Sequence, residues 1–354
     1  MPIESMDVNH FLGRICNTDR TGGNNAPNLV FFLGAGCSIS SGIQGAAGLV
    51  RMWWDSMETT QKQKVLGYSD LCAGEYYNQV VEAKFGANTK ARQEDLARIM
   101  RDVRPGFGYI ALATLIHQST QWSCRDESQS PIVLTTNFDD LLERAFLIYT
   151  PIVPVVVSHD SLVRYSTSSR CIIKLHGDYR FQPYTDDTST RSLSPVVSER
   201  IATEIKDRSI VFIGYGGNDH GIAAFIKKCI ESNNISNIYW VNQNEPGKIM
   251  ADSFNDVTAY HISSVTFDDL MARMIDFTNI RHPSICRLMG HIDNYHEYFF
   301  QNLMQRTTAS ATAGRLSQKF QDWFRVVQKA IDCARNRNPA KAQHIMERGM
   351  QQFR

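Results

Sequence analysis

The residues whose types could do chemistry are Gly34, Gly36 and Ser38, Asn137 and Asp139, His176, Gly214 and Asn218, and Asn242. An imidazole titrates near neutrality and can take a proton from a hydroxyl or a water. A side-chain amide can donate and accept at once. A carboxylate such as Asp139 can hold a ligand or cap the helix that follows it, and Asp219 reads chiefly as a cap. The run Gly34-Ala-Gly-Cys-Ser-Ile-Ser-Ser-Gly42 joins two glycines that let the backbone turn and approach a ligand to the hydroxyls of Ser38, Ser40 and Ser41 at a helix start. A pyrophosphate fits that description. The same glycines would serve any strand-to-helix turn that needs small residues.

Each of these positions follows a short apolar run, and that is what must bring them together. Leu29 to Leu33, Pro131 to Thr135, Ile152 to Val157, Cys171 to Leu175, Ser209 to Ile213, Ile238 to Val241 and Tyr260 to Ile262 read as strands, with both the third and the fourth buried. Between them lie helical patterns. Gly108 to Gln118 is apolar nearly all round, Leu141, Leu142, Ala145 and Phe146 mark a second helix, and Ile222, Phe225, Ile226, Cys229 and Ile230 form the stripe of a third. A helix over Asp268 to Phe277 completes the series. The alternation predicts an α/β fold: a Rossmann-like parallel sheet with helices on both faces, whose ligands bind at the carboxyl ends of the strands. One crevice could then hold all the polar residues named above.

Residues 3 to 16 read as one amphipathic helix and 17 to 27 as a loop. A helical insertion is expected near 44–104, and a helical C-terminal segment after the alternation stops. The boundaries are 1–279 for the sheet domain and 280–354 for the helical region, which could open a further domain of a longer chain. Within it, Phe320, Trp323, Phe324, Val327, Ala330 and Ile331 trace a stripe. The polar segment Thr185 to Ser194 reads as a surface loop that could cover a site.

The chain has 354 residues, enough for a large core, and its charge is balanced, with 37 Lys and Arg against 36 Asp and Glu. That excludes a global positive field for nucleic acid, and no basic stripe with interleaved aromatics is present. Its eight cysteines stand singly, without a Cys-x-x-Cys pair, which suits reduced thiols in the cytoplasm. No apolar run has the length to span a bilayer.

The first turn departs from the dinucleotide pattern Gly-x-Gly-x-x-Gly because Ile39 stands at the third glycine, and Gly247-Lys248 is followed by Ile249, which excludes a phosphate-binding Gly-Lys-Ser/Thr loop. Taken in order, the Gly34 turn, Thr135-Thr-Asn-Phe-Asp139, Lys174-Leu-His-Gly177, Gly214-Tyr-Gly and Val241-Asn242 resemble the sirtuin family over roughly residues 28 to 277. The resemblance is greatest to the sirtuin-like NAD hydrolase modules of bacterial anti-phage defence proteins.

That resemblance implies NAD+ as substrate, with Asn137 and His176 catalytic. It places Gly34, Ala35, Gly36, Ser38, Asp139, Gly214 and Asn242 around the dinucleotide, with Ser38 and the amides of Ala35 and Gly36 on its pyrophosphate. The paired zinc cysteines of lysine deacylases are missing, so no metal is expected and a peptide groove is disfavoured. The family's Pro-Asp-Phe-Arg is here Gln44-Gly-Ala-Ala47, with Arg51 as a candidate replacement for the arginine. The expected activity is cleavage of NAD+ to nicotinamide and ADP-ribose by a homo-oligomer held in check until a partner or signal arrives. Two alternatives stay open: an NAD+-dependent protein deacylase or ADP-ribosyltransferase, and a module that senses NAD+ or ADP-ribose without turnover.

Overall fold

The computed structural model describes residues 3–16, 28–70, 76–121, 130–158, 171–179, 195–232 and 234–280, with isolated helical positions between 326 and 348. The chain divides into two compact units, Met1–Leu147 with Ile152–Ile280, and Ile148–Pro151 with Arg281–Arg354. The sheet lies in the first. The expected loop at 185–194 and the stripe around Trp323 fall outside the described residues.

Among the described residues eight strands pair in parallel: β1 (Glu4–Ser5), β2 (Leu29–Leu33), β3 (Ile132–Thr135), β4 (Val155–Ser158), β5 (Cys171–Lys174), β6 (Arg208–Ile213), β7 (Ile235–Val241) and β8 (Ala259–Ile262). Their spatial order is β1-β8-β7-β6-β2-β3-β5-β4. The organising strand β2 therefore lies between β3 and β6, where the chain's progress across the sheet reverses. Such a reversal is where open parallel sheets hold ligands.

Side chains alternate across β2, so its residues feed two cores. Phe31 and Leu33 join one, with Val133, Val211 and Ile213; Val30 and Phe32 join the other, with Leu134, Ile210 and Phe212. The first core is covered by α1 (Val8–Ile15), α6 (Phe107–His117), α7 (Leu141–Tyr149), α11 (Phe267–Thr278) and the insertion. The second is covered by α8 (Pro195–Glu204), α9 (His220–Glu231) and α10 (Lys248–Ala251).

The insertion consists of α2 (Ala46–Asp55), α3 (Thr59–Lys62), α4 (Tyr77–Phe85) and α5 (Thr89–Met100). It shares the first core through Val50, Trp53, Val80 and Leu96. Trp53 is a core residue whose Nε1 donates to Asp95 at 2.7 Å, whereas Trp54 stacks on Tyr68 with ring centroids 3.8 Å apart.

Four expectations need correction. Residues 3–16 are not one helix: Glu4 and Ser5 add β1 beside β8, and Asp7 caps α1 by accepting from the amides of Asn9 and His10. The Gly34 turn opens a 3₁₀ helix, Ala35–Ser41, and the next α-helix starts only at Ala46. The serines of that turn do not cap the helix after it. Ser41 Oγ accepts from the Gly106 amide at 2.8 Å, so it serves the start of α6 instead, while Ser40 donates to Asp268. Finally, β4 is an edge strand with Val156 exposed, not a buried one.

Candidate functional site

The carboxyl ends of β2, β3, β5 and β6 open into a cavity of about 870 Å³, within the range of small-molecule sites. Ala35, Ser38, Asn137, Asp139, His176, Gly214 and Asp219 all line it. Ile43, Ala46, Leu49, Tyr77 and Met100 add a largely apolar wall that includes the insertion. Gly34, Gly36 and Asn242 are not among the described lining residues.

Those three have other work. Gly34 and Gly36 bring the β2 turn against the β6 turn: the amide of Gly34 donates to Ile213 O at 2.9 Å and that of Gly36 to Gly214 O at 2.8 Å. The Gly36 amide, expected on a pyrophosphate, is thus already engaged. Asn242 spends its amide on the Tyr215 carbonyl at 2.9 Å and on the backbone amide of Gln243. It shapes the glycine-rich loop behind the cavity. Arg51, offered as a replacement arginine, donates to the Asp70 carbonyl and is not among the described lining residues.

Asn137 follows β3 in a turn fixed by its own amide, which donates to Thr135 Oγ1 at 3.0 Å. Its side-chain nitrogen lies 3.0 Å from Gly34 O, 3.2 Å from Ser38 Oγ and 3.1 Å from the Tyr109 hydroxyl. A carbonyl can only accept, so Gly34 O fixes the orientation of the amide. The donor half is occupied. Oδ1, which has no partner among the described residues, remains as the acceptor Asn137 can offer a ligand.

Ser38 is buried, and its hydroxyl donates to Asp139 Oδ2 at 2.7 Å while lying 2.8 Å from the Tyr109 hydroxyl. It is a strut between turns more than a free phosphate ligand. Burial raises the Asp139 carboxyl above the ordinary range, although Lys174, Ser38 and the Leu141 amide pull it back. Tyr109 is itself sealed in, and burial together with Asp139 drives its phenol well up. Tyr109→Phe should remove a hydroxyl that accepts from Asn137 and donates to Ser38, in a network whose other members keep partners. A loss of about 1 kcal/mol in chemical denaturation is expected.

Lys174 ends β5 and is 1% exposed. Its ammonium reaches the carbonyls of Phe138 and Asp139, Glu143 Oε1 at 3.1 Å and Asp178 Oδ2 at 2.7 Å. Burial would lower its pKa, but Glu143 and Asp178 outweigh that and the group is held above its usual value. Glu143 is raised, by burial above all. Glu143 and Asp178 thus bond one ammonium that also reaches the Asp139 backbone carbonyl, and of the three acids Asp139 is the one among the described residues lining the cavity.

His176 lies one turn further along, and its Nε2 is 3.0 Å from Asp219 Oδ2. The other Asp219 oxygen accepts from the Ile222 amide at 3.0 Å and caps α9. Burial pushes the Asp219 carboxyl up, but the hydrogen bond from His176, its charge when protonated, and the amides of Ile222 and Gly221 prevail and hold it below the ordinary range. The described cysteines, Cys16, Cys37, Cys171 and Cys229, are buried. Among the described residues no group of three or more His, Cys, Asp or Glu could hold a metal ion, and no helix is long and apolar enough to cross a membrane.

Sequence reasoning missed Tyr109, gave Lys174 no role and did not pair His176 with Asp219. Lys174 carried a signal: a lone charge closing the apolar run Cys171-Ile-Ile implies buried partners. Tyr109, within an almost wholly apolar helix, carried none.

Residues 131–263 match the family model described as a SIR2-like domain. Defense-associated sirtuin 2 of Bacillus subtilis is 32% identical over 98 residues, which are 25% of this chain and 10% of that protein. The match thus spans about a tenth of that relative's length. Solved structures of Sir2 enzymes also align: one concerned with their mechanism and regulation has a TM-score of 0.45 and 15% identity, covering 77% of this chain and 97% of the other. A Sir2 bound to acetylated peptide has a TM-score of 0.41 and 14% identity, covering 78% of this chain and all of the other.

Proposed function

Because this chain carries a sirtuin-like domain, we propose that it is an NAD+ hydrolase that cleaves the nicotinamide–ribose bond. The observation that carries the reading is the meeting of Asn137, His176 and the Asp139 carboxyl in one cavity. The leaving group is a pyridinium, so it departs neutral and asks for no general acid. What the site must supply is a held ribose, stabilisation of positive charge at C1′ and access for one water.

The chain has a group for each task. Oδ1 of Asn137 accepts from a ribose hydroxyl or from the water. Asp139, whose carboxyl lines the cavity and is pulled back toward ionisation by Lys174 and Ser38, faces the site where positive charge develops on the sugar. His176 takes the proton of the water as its oxygen bonds to C1′, while the C1′–N pair leaves with nicotinamide. Ala35 and Gly214 form the wall on which the pyrophosphate would lie. The products are nicotinamide, ADP-ribose and a proton.

The name of the Bacillus relative ties it to defence, and an NAD-depleting effector of anti-phage defence is the role proposed here. Unchecked hydrolysis would be toxic, so activity is expected to depend on assembly, a partner or a signal. Nicotinamide release from NAD+ should be followed at several protein concentrations beside Asn137→Ala and His176→Ala. Each substitution should reduce the rate by about a hundredfold or more, and wild-type specific activity should rise with concentration. Binding of NAD+ without release under every condition would favour the sensing alternative, and NAD+-dependent deacylation of an acyl-lysine peptide would favour the deacylase.

A further inference from the structure

We propose that Asp219 is a positioning residue for His176: it holds the proton on Nε2 and so makes Nδ1 the basic atom of the site. The catalytic arm of this inference rests on the hydrolase reading above, whereas its structural arm does not.

Three observations lead to it. Asp219 divides its carboxylate between two tasks, Oδ1 on the Ile222 amide and Oδ2 on His176 Nε2 at 3.0 Å. An ionised carboxylate can only accept, so a neutral imidazole facing it must present Nε2–H. The carboxyl stays ionised at neutral pH because, against the upward push of burial, the contact with His176 and two backbone amides hold it down. The lone pair of the ring is then on Nδ1, which has no hydrogen-bond partner among the described residues. Both His176 and Asp219 line the cavity, so Nδ1 is the nitrogen left for a substrate hydroxyl or water.

The arrangement follows the logic of a buried acid behind a catalytic imidazole: the acid fixes orientation and tautomer and stabilises the imidazolium, without taking the proton itself. In the sequence Asp219 is indistinguishable from any helix cap. Its second oxygen is what gives it another role, and the cap explains why the carboxylate cannot swing away. The helix start and the imidazole pin it from both sides.

Asp219→Asn separates the two tasks, because asparagine is as good a cap as aspartate. Its amide nitrogen can donate to Nε2 and reverse the tautomer. The protein labelled with ¹⁵N-histidine, with the His176 signals assigned by comparison with His176→Gln, should show the Nε2–H form in mildly alkaline buffer. Asp219→Asn should shift those signals toward the Nδ1–H form. Nicotinamide release should fall about a hundredfold or more in kcat, with KM for NAD+ changed little, and Asp219→Glu should restore part of it.

A wild-type His176 protonated on Nδ1 would overturn the proposal, as would an Asp219→Asn variant that reverses the tautomer yet keeps full turnover. The wild-type spectrum needs no variant to fold. If wild type releases no nicotinamide under any condition, the hydrolase reading fails, while the spectrum still decides which nitrogen Asp219 protonates.

Discussion

Replacing Lys174 with methionine is expected to destabilise the sheet domain by about 3–5 kcal/mol, the cost of breaking a buried ion pair by removing one partner. The ammonium is 1% exposed and joins the Phe138 and Asp139 carbonyls to Glu143 and Asp178. Methionine fills much the same space but donates nothing, so two carbonyls lose a donor, Asp178 loses one bond and buried Glu143 loses the ammonium that bonds it at 3.1 Å. Urea denaturation of the two proteins, read as a change in midpoint at unchanged slope, measures the loss.

The effect should also depend on pH with a definite sign. Glu143 is already raised by burial, and Lys174 is the main influence pulling it back. Without Lys174 the folded-state pKa rises further above the unfolded value. A carboxyl raised on folding binds more protons in the native state, so stability falls as pH rises through the window between the two values. The deficit of Lys174→Met should therefore be small in acid and grow toward neutrality. Adding Glu143→Gln should recover part of it by removing an orphaned charge. A variant as stable as wild type at neutral pH would show that Glu143 is solvated and that Lys174 does not hold a buried network.

Much of this architecture is legible in the residues, and the failures have physical causes. The central strands announce themselves because β2, β3, β5 and β6 are buried on both faces and read as unbroken apolar runs. Two-residue β1 carries no such run: Glu4 and Ser5 are exposed and owe their strand geometry to pairing with Tyr260 and His261. The edge position of β4 is hidden too, since Val155, Val156 and Val157 favour strand whether or not a neighbour covers them. The meeting of Asn137 with His176 follows from strand order, but which atoms remain free does not. That Asn137 has only its oxygen to offer, and that Ser38 is spent on Asp139, depends on Tyr109 and Gly34 O arriving from elsewhere in the chain. Short polar side chains have many possible partners, and the sequence does not choose among them.

Gly214→Ala is the second substitution expected to have a large effect, and it tests what the glycine turns are for. Gly214 has φ +61°, a left-handed conformation that disfavours a side chain, and an added Cβ would lie 2.7 Å from Cys37 N and 2.9 Å from the Gly36 Cα. The strain of the backbone and the clash against rigid main chain together should cost about 2–5 kcal/mol. Gly34→Ala has no such strain at φ −108°, yet its Cβ would sit 2.5 Å from the Tyr215 Cα, so about 1–3 kcal/mol is expected from overpacking alone. Gly216 lies two residues beyond Gly214 and lines the same cavity, but a Cβ there would meet nothing closer than Asn218 Nδ2 at 3.8 Å. Gly216→Ala should therefore change thermal stability little. Equal tolerance of all three would mean that the turns do not interlock and that the glycines serve the ligand alone. The expected ranking means instead that the protein's own backbone makes the first demand on Gly34 and Gly214, closing the β2 and β6 turns together so that Ala35, Ser38 and Asp219 stand around one cavity.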